Sequence, residues 1–242
     1  MRQPAATIAL FLLALPARAG PPYVTDDPAP TDYGHYETYL FTGGATARDG
    51  TGVTAGIDFN YGAAKDLQLT AVLPYAWDAP RNAATASGPG NIELAAKYRF
   101  LHQDTAGLDV AFFPRVFLPA GSAAVGERNS SLLLPLWIGR SGERWSSFGG
   151  GGCAIHRGGD ARDYCTVGWA VTTQLSPSVE FGAEIHHRTA DTRAGDASTG
   201  IGIGITVDLS DHLHLMARAG PGLGARDTTD HALWYAALQL TY

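Results

Sequence analysis

The sequence predicts an all-β fold, an antiparallel up-and-down transmembrane β-barrel most simply built from twelve strands, and three features carry that expectation. Segments of roughly ten residues alternate large apolar with small or polar side chains, the pattern of a strand with one face in lipid and the other in a lumen. The connections between them alternate short and long, with both chain ends on the short side. The last segment keeps Trp234, Ala236, Leu238, Leu240 and Tyr242 on one face until the chain stops. An aromatic last residue on such a strand has the form of a bacterial barrel's closing strand, whose end is read by the barrel-assembly machinery. Trp234, Leu238, Leu240 and Tyr242 are therefore the candidate assembly signal.

The N-terminus points to the same compartment. Arg2 precedes an apolar run from Ala6 to Leu15, followed by Pro16 and Ala17-Arg18-Ala19, the layout of a secretory signal peptide. A membrane-spanning helix needs about 20 apolar residues, so cleavage between Ala19 and Gly20 is expected rather than anchoring. Residues 1–19 are set apart as the signal peptide, 20–34 as a Pro/Asp-rich periplasmic leader, and 35–242 as the barrel. The prolines of the leader and Asp26-Asp27 oppose regular strand pairing. It reads as a mobile periplasmic tail, with a lumen plug or a periplasmic docking segment as alternatives. Without Arg2 and Arg18 the 17 basic side chains fall to 15, against 23 acidic ones, which argues against nucleic acid as a partner.

The strands follow in order. Residues 35–43 form the weakest, with Glu37, Tyr39 and Phe41 on one face. In 52–61, Val53, Ala55, Ile57, Phe59 and Tyr61 interleave with Thr54, Gly56, Asp58 and Asn60, and 67–77 returns with Leu67, Leu69, Ala71, Leu73, Tyr75 and Trp77 on one side. In 91–101, Glu93, Lys97 and Arg99 all fall opposite Ile92, Leu94, Tyr98 and Phe100. Strands at 108–119, 130–140 and 145–156 lead to 164–175, where Val167, Trp169 and Val171 oppose Gly168, Ala170, Thr172 and Gln174. In 179–189, Phe181 and Ile185 oppose Glu180, Glu184 and His186; in 198–209, Ile201, Ile203 and Ile205 oppose Gly200, Gly202 and Gly204. Strands at 213–220 and 232–242 complete an even number, as single-chain bacterial barrels have.

Short connections near 62–66, 102–107, 141–144, 176–178 and 210–212 alternate with mostly longer ones near 44–51, 78–90, 120–129, 157–163, 190–197 and 221–231. Short periplasmic turns and longer outer loops give this rhythm, which a soluble sandwich has no need of. A secreted soluble barrel would also show alternating strands, but its apolar face would point inward. Here that face carries Tyr61, Tyr75, Trp77, Tyr98, Phe100, Trp234 and Tyr242 near strand ends, as interfacial girdles do. Outer-membrane lipid is then a partner, and closure follows because no strand edge survives in hydrocarbon.

The inward faces supply the candidate functional residues. Asp58, Glu93, Glu180, Glu184 and Asp208 stand against Lys97, Arg99, Arg115, Arg188 and Arg218, with Thr172 and Gln174 among them. No ring of one sign appears, which implies weak ion selectivity or an internally neutralised interior. Glu184 and Arg218 lie mid-strand on either side of the glycine face, and their side chains are expected to meet across it. The run Gly149 to Gly152 lacks the following Lys-Ser/Thr of a phosphate loop; its expected role is to leave room for bulk such as Trp137 or an inward-folded segment. Cys153 and Cys165 flank a short outer loop. If their strands pair, opposed Cα atoms stand about 4.5–5.5 Å apart, within disulfide reach, in an oxidising compartment. A disulfide, two free thiols and a metal site are the readings left open. His186 and His187 with Ser198 and Thr199 are the one cluster that invites a hydrolase reading, and no third group is evident to orient a base.

The segment Pro21-Pro22-Tyr23-Val24-Thr25-Asp26-Asp27-Pro28-Ala29-Pro30 with Tyr36-Glu37 resembles the start of a family of outer-membrane proteins named for the meta-pathway of phenol degradation. Leu134-Pro135-Leu136-Trp137, Phe148 to Gly152, and Glu184 to Thr192 followed by Ser198-Thr199-Gly200 are similar to its later segments, so the resemblance covers most of the mature chain. Cys153 departs from it, standing where a large, often aromatic residue follows the glycines. The resemblance implies a transporter associated with aromatic catabolism. The function expected is passive passage of a small solute, aromatic or apolar on the strength of that resemblance, along a lumen lined by Arg115, Thr172, Gln174, Glu184 and Arg218, with no cofactor, no metal and no enzymatic activity. A non-conducting structural or surface-interaction barrel is the alternative, and an outer-membrane hydrolase a lesser one.

Overall fold

The computed structural model describes residues 22–119, 122, 125, 129–156, 158–193, 195–223 and 231–242. The signal peptide with its Ala19–Gly20 junction, and parts of the connections at 120–129 and 221–231, lie outside the described residues. The strands are β1 (Tyr36–Thr46), β2 (Gly50–Ala64), β3 (Leu67–Pro80), β4 (Ala86–Pro89), β5 (Ile92–Leu101), β6 (Asp109–Phe112), β7 (Arg115–Leu118), β8 (Ser131–Ser141), β9 (Trp145–His156), β10 (Tyr164–Ser176), β11 (Val179–Arg188), β12 (Ser198–Ser210), β13 (Leu213–Pro221) and β14 (Ala232–Thr241), with one helical turn, α1 (Gln103–Ala106). All pairings between strands are antiparallel, and they close into a barrel of twelve staves, β4 with β5 and β6 with β7 each forming one interrupted stave.

Closure falls at the weakly patterned first strand. β1 pairs with β14 from Glu37↔Thr241 to Thr46↔Ala232, and Tyr36 and Tyr242 exchange backbone hydrogen bonds of 2.7 and 2.9 Å beyond the last pair. Every backbone group in this wall must bond within the sheet because lipid offers no partners.

Two segments differ from the sequence expectation. The connection expected over 78–90 is mostly strand: β3 continues to Pro80, and β4 pairs back on it from Tyr75↔Pro89 to Asp78↔Ala86. The extension satisfies backbone groups that a free loop would leave to water. The stave expected over 108–119 is broken at Phe113-Pro114, where proline has no N–H to give the ladder. Alternation survives the break, because Ala111 and Phe113 are buried at 0 % and 4 % exposure while Phe112 faces out at 38 %.

The two faces of the wall are chemically distinct. Leu94, Trp169, Ile185, Ile203 and Leu215 are exposed outward, while Glu93, Thr172, Glu184, Met216 and Arg218 are buried inside. Tyr36, Tyr98, Phe100, Trp145 and Tyr242 are exposed at the short-turn end, and Tyr75 and Trp77 towards the long-loop end. An apolar exterior bounded by aromatics is a lipid-facing surface. The tight turn Lys65-Asp66 places Asp66 at φ 62°, a left-handed conformation that short polar side chains tolerate.

Candidate functional site

The lumen is occupied by the chain's own leader. Residues expected as a mobile tail are instead fastened to inward-facing side chains on opposite walls; polar groups that a free tail would leave to water here find partners on the strands. On one wall, Glu184 of β11 accepts from Val24 N–H (3.1 Å), Thr25 N–H (3.0 Å) and Thr25 Oγ1 (2.9 Å). Its other close partner is Arg218 Nε of β13, at 2.7 Å, with both side chains almost wholly buried. The pair spans β12 at Gly202, where an added Cβ would lie 2.5 Å from Arg218 Nε. Glycine is therefore what allows Glu184 and Arg218 to meet. The same wall lets the leader approach: a Cβ at Gly168 would collide with Thr25 Oγ1, and one at Gly182 with Tyr23 Oη.

On the other wall, Lys97 of β5 spends its ammonium donors on the leader. It donates to Asp26 Oδ1 (3.0 Å), the Asp27 carbonyl (3.1 Å) and the Ala29 carbonyl (3.4 Å), and lies 4.9 Å over the Phe113 ring. Gln68 of β3 accepts from Thr31 N–H and Oγ1 and donates to Asn60 and Thr70. Arg115 grips Glu93 with two hydrogen bonds of 2.7 and 2.9 Å, the bidentate form that is strongest between these groups. Tyr39 donates to Glu37 and accepts from Gln239, joining β1 to β14 inside the seam. Burial pushes the Asp27 carboxyl up to about 6, against the opposing pull of Lys97. Burial, then Glu180 and Glu184, push the Tyr23 phenol up.

Space remains around the leader. A cavity of about 260 Å³ lies between it and the wall bearing Tyr39, Asp58, Glu93, Lys97, Arg115 and Tyr235. One of about 90 Å³ lies against Pro28, Phe148, Thr172 and Glu180, and one of about 280 Å³ at the long-loop end against Asn91, Phe117, His156, Tyr164, Arg188 and Asp191.

The structure thus disperses the residues that the sequence grouped as one lining. Asp58, Glu93, Lys97 and Arg115 surround the cavity of about 260 Å³ beside the leader, and Glu184 pairs with Arg218. Arg99 turns to Asp66 in the β2–β3 turn at 2.8 Å, and Asp208 meets His214 at 2.7 Å near the short-turn end. Gln174 donates to the Ser176 carbonyl there, while Arg188 sits at the far mouth beside Asp191 at 3.3 Å. Equal numbers of each sign therefore do not make each level neutral: around the central cavity Asp26, Asp27 and Glu37 add to Asp58 and Glu93, facing Lys97 and Arg115. The leader contributes Asp26 and Asp27, which strand periodicity gave no reason to place there, and β1 adds Glu37 from the face it shares with Tyr39.

Cys153 and Cys165 stand opposite one another in β9 and β10 and are joined, with Cα atoms 4.0 Å apart. Of the histidine pair, His186 faces inward with Nδ1 3.3 Å from Arg218 Nη2, and His187 bonds Thr199 Oγ1 on the opposite face at 2.7 Å.

A family model described as "Putative MetA-pathway of phenol degradation" matches residues 25–234. The chain belongs to this family. Among solved structures, an outer-membrane channel from Pseudomonas putida F1 is similar at a TM-score of 0.73 and 12% identity, covering 89% of this chain and 97% of that one. The KdgM porin, solved with disordered oligogalacturonate, is similar at 0.57 and 10% identity, covering 86% and 98%. The β domain of the Bordetella autotransporter BrkA is similar at 0.52 and 13% identity, also covering 86% and 98%. At these identities the likeness is one of fold. No curated protein matches the chain in sequence.

Proposed function

We propose that this family member is a passive outer-membrane channel for small solutes, with its leader as an internal plug that narrows the path. The carrying observation is the hollow, polar lumen: a closed barrel keeps cavities of about 260 and 280 Å³ although a segment of its own chain runs through it. A purely structural barrel has no need of buried charge inside, since ion pairs there cost desolvation that apolar packing avoids. Asp58, Glu93, Lys97 and Arg115 line the wall of this path and Thr172 and Glu180 a smaller space beside the leader, while the buried pair Glu184 and Arg218 holds the leader in place; aromatic or apolar solutes are the class that the family description suggests. The lipid-facing C-terminal strand, with Trp234, Leu238, Leu240 and Tyr242, is the segment that the assembly machinery reads. No hydrolase is proposed: His186 faces the lumen beside Arg218 and His187 the opposite side of the wall.

The multiple bonds of the leader favour a second reading, a barrel that stays shut and acts by its outer surface. Planar-bilayer conductance and solute uptake into liposomes separate the two. The intact protein should conduct weakly and a chain lacking residues 22–33 strongly. Silence of both, with the barrel folded, would remove the channel reading.

A further inference from the structure

The long-loop end carries a built rim. Cys165, bonded to Cys153 on one side, is hydrogen-bonded on the other to the connection that follows β11: its N–H donates to Thr189 Oγ1 at 2.9 Å and its carbonyl accepts from Thr189 N–H at 2.9 Å. Farther out, Ala161 bridges Thr192, Arg162 N–H donates to the Asp191 carbonyl at 2.8 Å, and Arg193 N–H to the Asp160 carbonyl at 2.9 Å. Two successive outer connections are thus zipped together above a covalent cross-link.

This rim holds a pair of opposite charges at the mouth. Asp191 lies within the zipped segment and meets Arg188 Nη1 at 3.3 Å, while the Arg188 guanidinium lies 5.9 Å over the ring of Tyr164, the neighbour of Cys165. All three side chains line the cavity of about 280 Å³. Their side chains are 47% and 31% exposed for Arg188 and Asp191, and an ion pair so wetted contributes only about 0–1 kcal/mol. It does not hold its own position; the zipped rim and Tyr164 do.

We propose that Arg188 and Asp191 are specificity-determining residues for the passage proposed above, on which this inference rests, and that the Cys153–Cys165 bridge fixes them in place. Opposite charges side by side at a mouth give neither ion an attractive ring, so the mouth favours uncharged or dipolar solutes over either sign of ion. Removing one charge should expose the other.

The test uses the purified full barrel in planar bilayers under a salt gradient, with heat-dependent gel mobility confirming that each variant is folded. Arg188→Gln should raise the cation-to-anion permeability ratio about two-fold, because the Asp191 carboxylate is left without its counter-charge, and Asp191→Asn should lower it by a similar factor. In a Cys153→Ser/Cys165→Ser background both shifts should shrink. A conducting wild type whose ratio neither single variant changes would overturn the mouth assignment while leaving passage intact. Shifts of equal size with and without the bridge would overturn the role of the disulfide. A wild type and a leader-deleted chain that both fail to conduct would instead overturn the channel.

Discussion

The two walls that hold the leader do so by opposite means. The wall of β10 to β12 presents glycine at Gly168, Gly182, Gly202 and Gly204, so the leader and the Arg218 side chain come within contact of the backbone. The wall of β2 to β7 presents long polar chains, Gln68, Glu93, Lys97 and Arg115, that reach across and leave a cavity of about 260 Å³ behind them. Small side chains set where the plug rests; large ones set where space persists. A barrel can thus close one side of its lumen and keep the other hollow with the same strand architecture.

The largest test of this contrast is at Glu184. Glu184→Gln leaves Arg218 charged at 2% side-chain exposure without a counter-charge, a loss of about 3–5 kcal/mol for a broken buried pair. Thermal unfolding in detergent should show it, together with higher conductance as Val24 and Thr25 lose their charged acceptor. Glu184→Gln/Arg218→Gln should be less damaging than the two single losses added together. Strict additivity would mean that the glycine wall does not couple the two residues.

Next in size is steric expulsion. Gly168→Val puts a branched side chain where Thr25 Oγ1 lies, and overpacking of this kind costs about 1–3 kcal/mol, enough to shift the leader out by one to two orders of magnitude. Conductance should rise with little change in barrel melting. Lys97→Met on the opposite wall is a loss of the same order for the leader, about 2 kcal/mol for charge-assisted hydrogen bonds, with the cavity itself retained. If Lys97→Met left conductance unchanged, the spanning wall would have no part in holding the leader.

The barrel was legible in the sequence because lipid imposes period two on every stave, so Ile201-Gly202-Ile203-Gly204-Ile205 declares both its faces. The glycine face also announced Glu184 and Arg218, since two mid-strand charges flanking an empty strip have nowhere else to meet. The site was less legible. The leader has no period, and its partners Gln68, Lys97 and Glu184 lie 37 to 160 residues away along the chain. Counting charges by face cannot separate levels along the axis, so one face count takes in Arg99, held by Asp66 at a turn, Arg188, held by Asp191 at the mouth, and Lys97, which meets the leader. The break at Phe113-Pro114 is written in the proline and the inward side of Phe113 in the alternation, but the contact of its ring with Lys97 and Arg115 depends on packing between strands that no local pattern encodes.

The smallest effect is the dependence on pH, and it bears on the spanning wall alone. Asp27 is docked beside Lys97 with its carboxyl raised to about 6 by burial, whereas a released leader returns it to the ordinary value near 3.9. Between those values the docked state holds more protons than the released one, so docking strengthens as pH falls through about 6 to 4 and weakens as it rises. Conductance should therefore decline on acidification from pH 7 to 4.5, and Asp27→Asn should flatten that decline. The glycine wall supplies the internal comparison: Gly168→Val acts by bulk against Thr25 and alters no titrating group, so it should shift the whole curve upward and leave its slope unchanged. A slope abolished by Gly168→Val and retained by Asp27→Asn would place the titrating contact on the wrong wall.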